Sequence, residues 1–163
     1  MERALLLAIQ LINLNITQFN LENNMNITQP SVPKNEDFKV LKFGLNCYNE
    51  SIVGKLDKEK VASFVEDKSG DIRGGILGEI KWGWLYVEGL WIDSSCRKKG
   101  WGAKLLSTLE KYAQSKGVVN YRLETTSFQA LGFYQKAGYC VFAELPDMPP
   151  GHTSYFLKKR SGS

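Results

Sequence analysis

The period of the apolar positions changes several times along the chain, and each change marks an element. Phe38, Leu41, Leu45 and Tyr48 recur at helical spacing within residues 35–50, which predicts an amphipathic helix. Residues 60–66 (KVASFVE) read as a strand, the turn Asp67-Lys68-Ser69-Gly70-Asp71 follows, and residues 72–81 form a second strand. Trp82-Gly83 separates it from a third strand over 84–93. Three strands joined by such short turns predict an antiparallel meander. The helical period returns at 100–116, where Leu105, Leu106, Leu109, Tyr112 and Ala113 share one face and Gly117 suits the C-cap. Val119, Tyr121 and Leu123 alternate as a fourth strand, and residues 128–137 form a further helix that stops at Gly138. A strand over 139–145, the loop PDMPPGHT and a last strand over 154–159 complete the chain. The order is helix, three strands, helix, strand, helix, two strands, which predicts an α/β fold with a mixed, mostly antiparallel sheet flanked by helices in a single domain.

The ends change this picture little. Residues 4–14 (ALLLAIQLINL) are too short to span a bilayer, and no A-x-A-like cleavage site follows them. Residues 1–30 are therefore expected to be a loosely attached extension, with an amphipathic helix or with a functional start near Met25. Residues 31–160 are expected to be the folded domain. No membrane association is expected.

At 163 residues, 43% of them hydrophobic and 23% charged, the chain can bury a core without metals or disulfides. A formal net charge of +4 is far from the dense basic stripe of a nucleic-acid binder, so no nucleic-acid partner is expected. Cys47, Cys96 and Cys140 are widely spaced and form no CxxC, and His152 is the single histidine. That pattern points to the cytoplasm and away from a disulfide framework, a zinc site or a cysteine–histidine nucleophile.

Candidate chemistry concentrates where the third strand meets the second helix. Leu90-Trp91-Ile92 end the strand, a polar basic loop follows, and Gly100 and Gly102 open the helix. Helix N-termini carry unsatisfied N–H groups and partial positive charge. The two glycines keep side chains away from those groups, and Arg97, Lys98 and Lys99 add charge, which together suit a pyrophosphate. Neither the P-loop spacing nor GxGxxG with a following acidic residue is present.

The six residues 97–102 read R-K-K-G-W-G, and this segment resembles the [RQ]-x-x-G-x-[GA] acetyl-CoA signature of the GNAT (Gcn5-related N-acetyltransferase) superfamily. Residues 127–139, S-F-Q-A-L-G-F-Y-Q-K-A-G-Y, are similar to that family's N-x-x-A-x-x-F-Y-x-K-x-G-[FY] pattern at Ala130, Phe133, Tyr134, Lys136, Gly138 and Tyr139. Ser127 stands where the family often has asparagine, and it can still offer one hydrogen bond to a cofactor.

The resemblance implies a GNAT-like fold and direct acetyl transfer from acetyl-CoA, without a metal, to a primary amine, with a small-molecule acceptor favoured. A protein or peptide acceptor, or a non-catalytic acyl-CoA-binding regulatory module, are the alternatives. By the same resemblance, the N–H groups of Arg97, Lys98, Lys99, Gly100, Trp101, Gly102 and Ala103 hold the pyrophosphate. The backbone of Leu90, Trp91 and Ile92 pairs with the pantetheine arm, and Ser127 and Tyr134 also touch the cofactor. Tyr134 is the expected general acid for the departing thiolate, since a phenol is protonated at neutral pH. The ammonium form of the amine has no lone pair, so a base is needed. Glu88 is the first candidate and Glu79, on the neighbouring strand, the second. Strict alternation sets Leu85, Val87, Gly89 and Trp91 against Tyr86, Glu88, Leu90 and Ile92, unless a bulge resets the parity. His152, in the proline-rich loop, is a candidate acceptor contact. Members of the family are often dimers, and the resemblance extends that expectation to a homodimer.

Overall fold

The computed structural model describes Gln10, residues 25–55 and residues 57–162. The helix expected over 4–14 and most of the extension lie outside the described residues. The chain divides into two units, residues 1–44 and 45–163. Helix α1, Asn35–Val53, begins with Glu36 and Asp37 in its first turn, where carboxylates favour the positive helix end. It stops at Gly54, which takes a left-handed φ of 78° while its N–H bonds the Glu50 carbonyl at 3.0 Å. No helix among the described residues is long and apolar enough to cross a membrane.

The six strands among the described residues all belong to the second unit: β1 Lys58–Glu66, β2 Ile72–Lys81, β3 Trp84–Ile92, β4 Asn120–Thr126, β5 Cys140–Pro146 and β6 Thr153–Arg160. They form one sheet in the order β1-β2-β3-β4-β6-β5. Only β3 and β4 run parallel; the other neighbours are antiparallel, and the predicted meander is β1-β2-β3. The crossover between β3 and β4 carries helix α2, Trp101–Ser115, as a parallel connection requires. Helix α3, Leu131–Lys136, follows β4 and is shorter than the apolar pattern predicts, because 127–130 form turns.

The core lies on one face of this sheet. Leu105, Leu106, Leu109 and Ala113 turn the apolar stripe of α2 onto Ile76, Leu85, Val87, Tyr121, Leu123 and Leu157, all buried. Close approach is needed at Gly78. A Cβ there would lie 2.7 Å from the Tyr86 carbonyl oxygen and 3.2 Å from Leu109 Cδ2. The register of β2 against β3 slips at this point: Leu77 pairs with Gly89 and Gly78 with Val87, leaving Glu88 as the extra residue of a bulge. The bulge overturns strict alternation along β3. Leu90 and Ile92 join Leu85 and Val87 against the core, whereas Trp91 faces solvent with half its surface exposed.

Gly78→Ala is therefore expected to destabilise the fold by about 1–3 kcal/mol, the usual cost of overpacking. A lowered urea midpoint with an unchanged slope would register it. An unchanged midpoint would show that the α2–β2 contact relaxes freely.

Candidate active site

The parallel pairing of β3 and β4 is brief. It runs from Trp84↔Asn120 to Val87↔Leu123, although β3 continues to Ile92 and β4 to Thr126. Beyond Val87 the strands part, and a cleft of about 820 Å³ occupies the gap. Glu88, Leu90, Trp91 and Ile92 line one wall, and Glu124 and Thr125 the other. Backbone groups of β3 that point towards β4 have no strand partner in this stretch, so an extended ligand can take the place of the missing strand.

One end of the cleft is the loop before α2. Asp93 starts it by accepting hydrogen bonds from Ser95 N at 2.9 Å and from the Ser95 hydroxyl at 2.5 Å, and these bonds hold its carboxyl below the usual carboxylate range. Arg97 Nε donates to the Ile92 carbonyl at 3.0 Å, and Lys99 Nζ to the Ser95 carbonyl at 3.0 Å. Both side chains thus brace the loop. Lys98 and Gly100 take left-handed φ values of 59° and 80°. Gly100 is the N-cap of α2 and provides no side-chain cap, and the first amide bonded back into the helix is that of Lys104, to the Gly100 carbonyl at 3.1 Å. The N–H groups of Trp101, Gly102 and Ala103 are left for a ligand, on the positive end of a 15-residue helix.

Tyr134 lies in α3 with only 6% of its surface exposed, yet lines the same cleft. Its ring packs edge-on to Phe133 and Tyr139 at centroid distances of 5.0 and 6.0 Å. Burial pushes its phenol above the usual tyrosine value. Glu88 sits where the cleft meets the opposite face of the sheet. Lys60 Nζ donates to Glu88 Oε1 at 2.5 Å and lies 3.8 Å from Glu79. The hydrogen bond it donates to Glu88 is the main reason that the Lys60 amine is held above its ordinary value.

The cleft thus brings together Glu88, Leu90, Trp91, Ile92, Arg97, Lys98, Gly100, Trp101, Gly102, Ala103 and Tyr134. Lys99, Glu79, Ser127 and His152 are not among its lining residues. Glu79 reaches Glu88 only through Lys60. The Ser127 hydroxyl lies 3.3 Å from His152 Nδ1 and accepts from Thr153 N at 3.3 Å, and the imidazole packs edge-on to Phe128 at 4.7 Å. Sequence reasoning missed Glu124, Thr125, Phe128, Gln129 and the half-buried Cys96 as lining residues. Only their nearness to the two motifs could have signalled them. Among the described residues, no group of three His, Cys, Asp or Glu side chains could hold a metal ion.

Residues 25–139 match the model of the Acetyltransferase (GNAT) family. A blasticidin-S acetyltransferase of Streptomyces morookaense is 40% identical over 102 residues, which cover 62% of this chain and 75% of that protein. The crystal structure of an acetyltransferase from Bacillus cereus matches with a TM-score of 0.75 at 33% identity, over 83% of this chain and 99% of that one. An aminoglycoside 6'-N-acetyltransferase complexed with coenzyme A shares the fold, with a TM-score of 0.57 at 21% identity over 63% of this chain and 73% of that one.

The raised phenol gives a pH prediction. A folded value above the unfolded one, about 10, keeps Tyr134 more protonated at that pH than a free phenol, and any stability it supports is lost as pH rises from the unfolded value through the folded one. In ultraviolet titration, Tyr134→Phe is expected to lose less tyrosinate absorbance at about pH 10 than the half equivalent a free phenol would supply there. A loss of half an equivalent or more would show that the phenol ionises normally.

Proposed function

Because the chain belongs to the acetyltransferase (GNAT) family and is an N-acetyltransferase, we propose that it transfers the acetyl group of acetyl-CoA directly to a primary amine of a small molecule. The observation that carries this proposal is the cleft itself, which is lined by both an uncapped helix N-terminus and a buried phenol. The fit to acetyl-CoA rests on three features. The amides of Trp101, Gly102 and Ala103 lack helical acceptors, Gly100 has nothing within 4 Å of where a Cβ would stand, and β3 presents an unpaired edge beyond Val87. A small acceptor is favoured by the likeness to the relative named for blasticidin S.

The roles of the residues follow from their chemistry. The α2 amides and the loop at 97–100 would bind the pyrophosphate, with Arg97 and Lys99 keeping the loop in shape. The open edge of Leu90, Trp91 and Ile92 would align the pantetheine arm as an added strand. Glu88 would take the proton from the incoming ammonium, directly or through a water, and Lys60 Nζ, 2.5 Å from its Oε1, holds the carboxyl group in position. As the new C–N bond forms and the C–S bond breaks, Tyr134 would give its proton to the departing sulfur. A neutral phenol at every physiological pH suits that task.

Calorimetric titration with acetyl-CoA is expected to show saturable binding, and its absence at millimolar ligand would overturn the proposal. Tyr134→Phe should retain that binding and lower kcat by about 10²-fold; unchanged turnover removes Tyr134 from the mechanism. Glu88→Gln should abolish the acid limb of the pH–rate profile, and an unaltered profile would leave the proton to water.

A further inference from the structure

The sheet face opposite α2 carries a second pocket, of about 490 Å³, that nothing in the transfer chemistry uses. The strand register aligns Lys60, Glu79, Tyr86, Arg122 and Lys158 in one transverse row across β1, β2, β3, β4 and β6. Residues directly opposite one another share a face, so this row forms a continuous strip. The pocket is built on its middle and far end, with Lys81, Trp84 and Phe142 around it.

Its charges are unusual. Each cation lies over an aromatic ring: Lys81 Nζ is 4.0 Å from the Trp82 ring centroid, Arg122 Cζ 4.2 Å from Tyr86, and Lys158 Nζ 5.7 Å from Phe142. None of the three forms an ion pair among the described residues. Glu79 is the single carboxylate of the lining and has Lys60 at 3.8 Å. Three cations therefore converge without a counter-charge of their own. A guanidinium stacked on a ring keeps its in-plane N–H groups free, the geometry that accepts a carboxylate or phosphate in two parallel hydrogen bonds.

The pocket is also next to the proposed base. Glu88 follows Tyr86 by two residues on β3, a rise of about 7 Å, and Lys60 touches both Glu88 and Glu79. Resting on the acetyltransferase reading, we infer that the acceptor is an amphoteric molecule. Its amine enters the cleft beside Glu88, and a carboxylate or phosphate on a planar body is held by Arg122, Lys158 and Lys81 against Trp84 and Tyr86.

The pocket is tested first without catalysis, by titrating the protein with para-methylbenzoate, para-methylphenyl phosphate and neutral para-methylbenzyl alcohol. At least one anion is expected to bind about ten-fold more tightly than the alcohol, and the tighter of the two identifies the group. Arg122→Met and Lys158→Met, each checked for folding by circular dichroism, should each erase that preference. Equal binding of all three probes, an unchanged preference in both folded variants, or displacement of the anion by duplex DNA would overturn the inference. In turnover, para-(aminomethyl)benzoate and para-(aminomethyl)phenyl phosphate are then compared with para-methylbenzylamine. A kcat/KM advantage for the anionic amine matching the preferred group, carried by KM and falling towards one in Arg122→Met, is expected. No such advantage overturns it. Loss of acetyl-CoA binding while the anions still bind would instead strike the acetyltransferase reading alone.

Discussion

Most of the functional geometry depends on the parting of β3 from β4. The two strands share only four residue pairs before the bulge at Glu88 turns β3 aside. A bulge inserts an unpaired residue, bends the strand and increases its twist, so the parallel ladder cannot be continued to Ile92. The result is a wedge with unpaired backbone on one wall, lined also by the N-terminus of α2 and by Tyr134. Gly78, at that register slip, has no room for a side chain, because a Cβ would lie 2.7 Å from the Tyr86 carbonyl oxygen and 3.2 Å from Leu109 of α2. The helix whose N-terminus borders the cleft is thus seated at the place where the sheet opens.

The loop at the mouth uses much of its own charge to hold its shape. Arg97 is tied to the end of β3 and Lys99 to the turn begun by Asp93. Under the proposed function, attraction for an anion would therefore come chiefly from oriented amides and from Lys98. Such amides are fixed by the backbone, and they need no reorganisation when a ligand arrives. The left-handed φ of Gly100 aims the first turn of α2 into the cleft.

The two faces of the sheet divide the labour. One is apolar and covered by α2, and it supplies the burial that holds the domain together. The other alternates charge with aromatic rings, from the acidic pair around Lys60 to the cations stacked on Tyr86, Trp82 and Phe142. Rings beneath cations cover their apolar stems and leave the charged heads outward. Glu88 is the bulge residue, and it reaches from the cleft to this second face.

Much of the architecture was already determined by local sequence. The order of helices and strands, the meander, the basic loop opening α2 and the motif around Tyr134 all follow from periodicity and from glycine positions, which act over a few residues. The bulge at Glu88 could not be read, because register is set between strands and no single strand records it. With the register hidden, so were the swap of Leu90 and Trp91 between faces, the meeting of Glu88 and Glu79 on Lys60, and Glu124 on the far wall of the cleft. The pairing of Ser127 with His152 was hidden for the same reason, since 25 residues separate them in the chain. Sequence alone determined which elements form; tertiary structure decided which side chains meet, because only strand pairing and helix seating bring distant residues onto one surface.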